Sequence, residues 1–330
     1  MSHKPYFCLY AHNIPVLGKA RSAIYDLQRG QLVVIPNILY RILLDLRLRP
    51  WRAVQQQYAP DDAALFGKYI KFLMDRDLGL FVDDPLDFPP LSLQWESPHA
   101  VLNAVVSYEF EQYDLTAVLT QLDALQCRHL ELRLTTRAGC WPEVLRLADE
   151  LVDKSFHSVT LLLTYSPALA DLALVDALYA RCPKILSLVV HAAPNACASM
   201  VHPGKVAFIT PDLRRVPPRP RYVVSLQYFA EAQRFNPYYN RKLCVDETGA
   251  IKNCLMLADS FGHVDKTPLA EVLAGEAFQV LWHVAPDRMT GVKDSELRYA
   301  LFSTDCLVED PYSKLDRPVL ASYCEPVGVG

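Results

Sequence analysis

The chain has 330 residues, of which 51% are hydrophobic and 21% charged, the composition of a folded protein with room for more than one domain. A net charge of −4 supplies no positive field to hold a nucleic-acid backbone, so nucleic acid is not an expected partner. No run of 18 apolar residues occurs, and MSHKPY at the start lacks the charged and apolar regions of a signal peptide; the expectation is a cytoplasmic protein with no membrane partner.

In the first segment, 1–84, SAIYDLQRGQLVVIP (22–36) predicts a hairpin of Ser22–Leu27 and Gln31–Ile35 around Arg29-Gly30. Asn37 is placed to cap a helix in which Ile38, Ile42 and Leu46 recur every four residues beside Leu39 and Leu43. Pro50 opens a second short helix through Tyr58. Asp61 is placed to cap a third, with Leu65, Phe66, Tyr69, Ile70 and Leu73 on one face. Gly79 falls where a left-handed helix stop is expected, and Leu80–Val82 follows as a strand. Strands, three helices and a final wing describe a winged-helix module.

The proline-rich stretch DDPLDFPPLS (83–92) ends that module. From 93 to 221 strands and helices alternate: AVVSYEF, then DLTAVLTQLDALQ, HLELRLT, WPEVLRLADELVDK, SVTLLLT, a helix through Tyr179, ILSLVVH and KVAFIT. This is the rhythm of βα units, hence an α/β segment with a parallel sheet or partial (β/α) barrel. Covered on both faces, such strands are expected to be nearly all apolar, and these read that way.

The third segment, 222–330, is less regular and is expected to form one tail around the helix PLAEVLAGEAFQVLWHV. The chain has nine cysteines, and the tail holds Cys244, Cys254, Cys306 and Cys324. In a reducing compartment most of the nine are expected to be small buried hydrophobes. CVDETGAIKNC is the exception, setting Cys244 and Cys254 at the ends of a turn marked by Asp246, Glu247 and Gly249.

The stretches YFCLYAHNIPVLGKARSAIYDLQRGQLVVIPN, FNPYYNRKLCVDETGAIKNC, FGHV, FQVLWHV and KDSELRY together resemble the SPASM-domain peptide maturases of grasp-with-spasm systems. These are radical SAM proteins that sit beside an ATP-grasp ligase acting on a ribosomal precursor peptide. The resemblance implies a winged-helix peptide-recognition module, a partial radical SAM barrel and a SPASM-like tail. It also implies a CxxxCxxC cluster motif after the first barrel strand, where the chain reads SYEFEQYDL (107–115) with no cysteine. Without three close thiolates a [4Fe–4S] cluster has no seat, so neither S-adenosylmethionine nor radical chemistry is expected.

Matched to the family's seven tail cysteines, Val292, Ser295 and Leu301 stand where three would be. One implied auxiliary site therefore keeps only Cys324. The other keeps Cys244, Cys254 and Cys306, with no cysteine in the NPYYN stretch (236–240) upstream. Three thiolates suffice for Zn²⁺ with a histidine or water, or for an Fe–S cluster with a substituted fourth ligand; His263 and His283 are the histidines of that segment. An inherited hairpin with three reduced cysteines and no cofactor is the other reading. Both stay open.

In the resembling proteins the winged-helix module recognises the leader of a precursor peptide by strand addition beside a helix. Here the edge is Gln31–Ile35 and the helix Asp61–Leu78, with Val33, Ile35, Leu65, Tyr69 and Phe72 as candidate groove residues; the alternative for each is that it is core. Arg47, Arg49 and Arg52 are available to acidic leader residues. Three functions are compatible: a non-radical adaptor presenting a precursor peptide to an ATP-grasp ligase, a peptide-modifying enzyme with a metal or Fe–S site at the three cysteines, and a winged-helix DNA-binding regulator. The charge balance of the module disfavours the last.

Smaller features remain. Tyr222, Tyr228, Tyr238 and Tyr239 form an aromatic stretch, RRVPPRP (214–220) reads as a linker, and His191 and Asn195 stand at a strand end. No glycine-rich phosphate loop, GxSxG or HExxH occurs, so the chain is not expected to be the nucleotide-using ligase itself.

Overall fold

A computed structural model describes residues 5–58, 63–137, 139–170, 172–195, 206–214 and 220–303. Strands β1 (Tyr6–Leu9), β2 (Asn13–Leu17), β3 (Ser22–Asp26) and β4 (Gln31–Ile35) precede helices α1 (Asn37–Leu46), α2 (Trp51–Tyr58) and α3 (Ala63–Asp75), and β5 (Gly79–Val82) follows. The βα series is β6 (Asn103–Glu109), α4 (Leu115–Ala124), β7 (His129–Thr135), α5 (Trp141–Asp153), β8 (Ser158–Thr164), α6 (Leu172–Arg181), β9 (Ile185–His191) and β10 (Val206–Phe208). Then come β11 (Arg221–Tyr222), α7 (Leu226–Ala232), β12 (Lys242–Val245), β13 (Ile251–Lys252), α8 (Leu269–Ala274), α9 (Glu276–Gln279) and β14 (Leu301–Phe302).

The chain divides into two compact units: Met1–Glu96 with Arg219–Pro237 and Val284–Gly330, and Ser97–Pro218 with Tyr238–His283. The segment 222–330, expected as one tail, thus contributes to both. In the first unit β2, β3 and β4 form an antiparallel sheet and β1 pairs with β5. Gly30 supplies the positive φ of 68° that the β3–β4 turn requires. Phe7, Ile24, Ile35 and Phe66 lie in one buried cluster with Leu39, Ile42, Leu43 and Leu46 of α1, whereas Ile38, the first residue of the expected fourfold repeat, is 41% exposed. Tyr25, Phe229 and Ala300 form a second cluster that draws the two later segments onto β3.

Two local expectations are corrected here. Asn37 is the first residue of α1, and Pro36 holds the cap position; the Asn37 amide instead donates to Gly18 O at 3.2 Å and accepts from Ser22 Oγ at 2.7 Å. The left-handed residue after α3 is Asp77, with φ 53°, rather than Gly79. Gly79 is needed for a different reason: a Cβ there would lie 2.4 Å from Cys8 O across the β1–β5 pair. Asp61, the expected cap of α3, lies outside the described residues.

The second unit is α/β, with a seven-stranded sheet ordered β10-β9-β8-β7-β6-β12-β13. Its pairs run parallel from β10 through β12, and only β13 is antiparallel. The strands are not apolar throughout. In β7, Leu130, Leu132 and Leu134 are buried, while His129, Glu131, Arg133 and Thr135 are half-buried. Within β7 one side is sealed and the other polar and half-buried, while β6 at 104–107 and β8 at 161–163 keep consecutive buried residues. The expected long helix PLAEVLAGEAFQVLWHV is also broken. Gly275, extended at φ −70° and ψ 127°, ends α8 and starts α9, and a 3-10 turn spans Val280–His283.

Candidate functional site

The edge expected to receive a peptide is β4. It is terminal in the order β2-β3-β4, pairing with β3 from Ser22↔Ile35 to Asp26↔Gln31; among the described residues no strand pairs its other side. Strand periodicity sends Val33 and Ile35 to one face and Leu32 and Val34 to the other. Ile35, 2% exposed, is core, and Val33, Tyr69 and Phe72 are partly buried against the same cluster. Leu65 is 43% exposed and lies outside that cluster. Four of the five candidates thus share one packed surface, and the fifth is partly exposed beside it.

Val34, 47% exposed on β4, and Ile38, exposed at the start of α1, add apolar surface that the sequence reading passed over. The alternation of QLVVI was the available signal for Val34. The arginines expected for acidic leader residues are partly engaged: Arg49 meets Asp45 at 3.9 Å, and the Arg52 guanidinium lies 5.7 Å from the Trp51 ring centre. A different cation lies beside the candidates, since the Arg76 guanidinium sits 4.8 Å from the centre of the Phe72 ring.

The cysteine hairpin is built into the sheet. Lys242↔Asn103 through Val245↔Val106 pair β12 with β6 in parallel, and Cys244 faces Lys252 across the turn. Both thiols are buried. The Cys244 sulfur is sealed and donates to Asn253 O at 3.5 Å, and desolvation pushes its pKa up to about 12, with Lys242 pulling the other way and Cys254 adding to the rise. Cys254 lies 3.5 Å from the Tyr238 hydroxyl, whose ring carries the Lys242 ammonium 3.6 Å from its centre. Asp246 closes the turn by accepting from Thr248 and Ala250 backbone N–H groups, each at 3.0 Å, and from Lys252 at 3.0 Å.

His263, an expected source of a fourth ligand, is turned to the other end of the hairpin, where its Nε2 lies 2.7 Å from Thr248 O. Cys306 lies outside the described residues, as do Cys197 and Cys324. Among the described residues no group of three or more His, Cys, Asp or Glu side chains is arranged to hold a metal. A Zn²⁺ or Fe–S centre there would need Cys306 and at least one further ligand brought to Cys244 and Cys254.

The third place of interest is the turn after β6, where a cluster motif would stand. Phe110 to Asp114 lead into α4, whose cap Asp114 accepts from Ala117 N at 3.0 Å. This turn and α5 enclose a cavity of about 440 Å³. Tyr108 meets Phe110 and Tyr113 edge to face at 5.4 and 5.2 Å, and the buried Tyr113 hydroxyl donates to Ser107 O at 2.7 Å. Glu143, Arg146 and Glu150 of α5 line the opposite wall. SYEFEQYDL lacks thiols, and its signal lies instead in the spacing of Tyr108, Phe110 and Tyr113.

At the end of β9, desolvation lowers the pKa of buried His191, and Asp212, 3.3 Å away, opposes this. Arg214 holds the Asp212 carboxylate down at about 2. Arg133 reaches the same loop, donating to Leu213 O at 3.1 Å and to Glu131 at 2.7 Å. Asn195 accepts from the Thr210 hydroxyl at 3.2 Å. These contacts hold residues 210–214 to the polar face of the sheet.

No protein-family model matches the chain, and no curated protein gives a significant match. Among solved structures the chain is similar to Streptococcus suis SuiB, in a crystal structure bound to S-adenosylmethionine. The alignment covers 89% of this chain and 94% of that one, at 10% identity and a TM-score of 0.28. A likeness of that size carries no argument about activity. Among the described residues no helix is long and apolar enough to cross a membrane.

Proposed function

We propose that the chain is a non-radical adaptor in the maturation of a ribosomally made peptide. In this reading it derives from the radical SAM and SPASM lineage, binds a precursor peptide through a winged-helix module at 1–84 and presents it to an ATP-grasp ligase. The observation that carries the reading is the edge of β4, which no strand pairs among the described residues, backed by the cluster that holds Val33, Ile35, Tyr69 and Phe72. Free main-chain donors and acceptors beside an apolar surface are what an extended peptide needs in order to add as a strand. The missing cysteines at 107–115 support the absence of radical chemistry and of S-adenosylmethionine.

The test is a binding titration of the full chain with labelled short peptides encoded beside its own gene, followed by incubation with the neighbouring ligase. Successive N–H groups of β4 point alternately at β3 and away from it, so Val33→Pro and Val34→Pro separate a ladder bond from a free donor. The reading expects the free-donor variant to stay folded and lose peptide binding. It also expects peptide mass to change only when the ligase is present. Binding that ignores both prolines, or a mass change produced by the chain alone, overturns the adaptor reading. Tight, steeply salt-dependent binding of duplex DNA in place of peptide would do the same.

A further inference from the structure

We infer that the cavity between the β6–α4 turn and α5 is a binding site for an organic cation, a guanidinium or ammonium group on a short apolar stem. It goes beyond the adaptor reading and does not rest on it. The cavity, about 440 Å³, is of a size that takes a small molecule or one long side chain. One wall is aromatic, made by Tyr108, Phe110 and Tyr113. A π-face attracts cations, and this wall already carries one: the Arg137 guanidinium lies 5.2 Å from the centre of the Phe110 ring, tied at 3.0 Å to Glu111.

The other wall has unmet carboxylate oxygens. Glu143 Oε2 and Glu150 Oε1 are both buried and have no hydrogen-bond donor among the described residues. Glu143 Oε2 is ion-paired with Arg137 at 3.8 Å, too long for a hydrogen bond, and the Glu143 side chain as a whole is 39% exposed, so Glu150 carries the stronger demand for a donor. Glu150 accepts from the Thr116 hydroxyl at 3.1 Å through its second oxygen, which leaves Oε1 unmet. A buried carboxylate oxygen without a donor is costly, and a cationic N–H donor is the partner that relieves it. Glu111, Asp114, Glu143 and Glu150 against Arg137 and Arg146 make the lining acidic, which selects a cation over an anion. Glu111 itself is held at φ 74°, an uncommon conformation for a residue with a side chain.

Arg146, exposed and on the same face of α5 as the two glutamates, repels a cation and attracts an anion or a zwitterion, and so reports the ligand's sign. The experiment titrates the full chain with N-acetyl-arginine methylamide, with agmatine, and with N-acetyl-glutamate methylamide as the anionic control, followed by NMR or calorimetry. Saturable binding of either cation at about millimolar concentration is expected, with none of the anion. Agmatine alone binding would point to free amines, and the arginine amide alone to a basic residue of a peptide; each supports the site.

Glu143→Gln and Glu150→Gln keep shape and are each expected to weaken binding roughly tenfold, the size of a charged hydrogen bond. Arg146→Gln is expected to tighten it about twofold. Phe110→Leu, with an unchanged melting temperature as the folding control, is expected to weaken it. No saturable binding of either cation, affinity unmoved by both glutamine variants, or weaker binding in Arg146→Gln overturns the inference. The probes contain no strand-forming peptide, so failure here is distinct from failure at β4.

Discussion

The Tyr25 hydroxyl donates to the Glu296 carbonyl at 2.9 Å, joining β3 to a residue 271 positions later. Around it the Tyr25 ring packs edge to face on Phe229 at 4.9 Å, and Arg21 meets the Glu296 carboxylate at 2.5 Å. Segments far apart in sequence thus complete the first unit. Tyr25→Phe leaves a buried carbonyl without its donor and should lower unfolding free energy by about 1–2 kcal/mol in a denaturant titration. An unchanged midpoint would mean that the carbonyl finds another donor.

Gly79 makes a sharper prediction. The space a Cβ would need is filled by the Cys8 backbone, which cannot yield without breaking the β1–β5 register. Gly79→Ala should therefore cost about 2 kcal/mol or more, measured by thermal melting. Gly67→Ala is the control. Nothing lies within 4 Å of a Cβ there, and alanine favours the helix, so stability should hold or rise.

The groove candidates divide by burial. Ile35→Ala should cost about 2–4 kcal/mol as a core truncation. Leu65→Ala, at an exposed position, should stay within about 0.5 kcal/mol of the parent. If Leu65 contacts a peptide, only its binding titration will move, and a loss of affinity at unchanged melting temperature is the expected result. Equal loss of stability in both variants would show that Leu65 is core after all.

The buried thiols predict an alkaline limit. Cys244 and Cys127 are both held up near 12 by desolvation, against an ordinary value of 9.0. A raised folded-state pKa means that above pH 9 the unfolded chain binds fewer protons than the native one. Stability contributed by the neutral thiols is complete below that value and is lost as pH rises from about 9 toward 12. Cys244→Ala should flatten that decline, and iodoacetamide should label the native parent at Cys244 only slowly at pH 8. Zinc titrated into the reduced chain should leave the labelling rate of Cys244 unchanged unless a ligand set assembles there.

Much of the element order was legible because each stretch obeys its own period. The β3–β4 hairpin, α1 to α5 and the β6 to β9 series follow from apolar spacing and turn residues. The misses share a cause. Gly275 looks tolerable within PLAEVLAGEAFQVLWHV, yet it sits extended and splits the helix. HLELRLT was read through the rule for sheets covered on both faces, although its own alternation announced a polar side. Asn37 and Gly79 were given the commonest local role of their residue types, while partners at Gly18, Ser22 and Cys8 set the actual one. The cavity beside Tyr108 comes from two helices and a turn meeting in space, so no linear pattern marks it.

The seven-stranded sheet and the β2-β3-β4 sheet also differ in how they meet solvent as sticky surfaces. The large sheet ends in β10 and β13, of three and two residues, with Lys252 on the latter, and so offers little template for another molecule. β4 has five residues, Leu32 to Ile35 all apolar, and Val34 exposed. An apolar edge that no strand pairs among the described residues is a template for pairing with a second copy. A concentrated preparation without a ligand should dimerise or precipitate through β4, and a charge at Val34 should keep it dispersed.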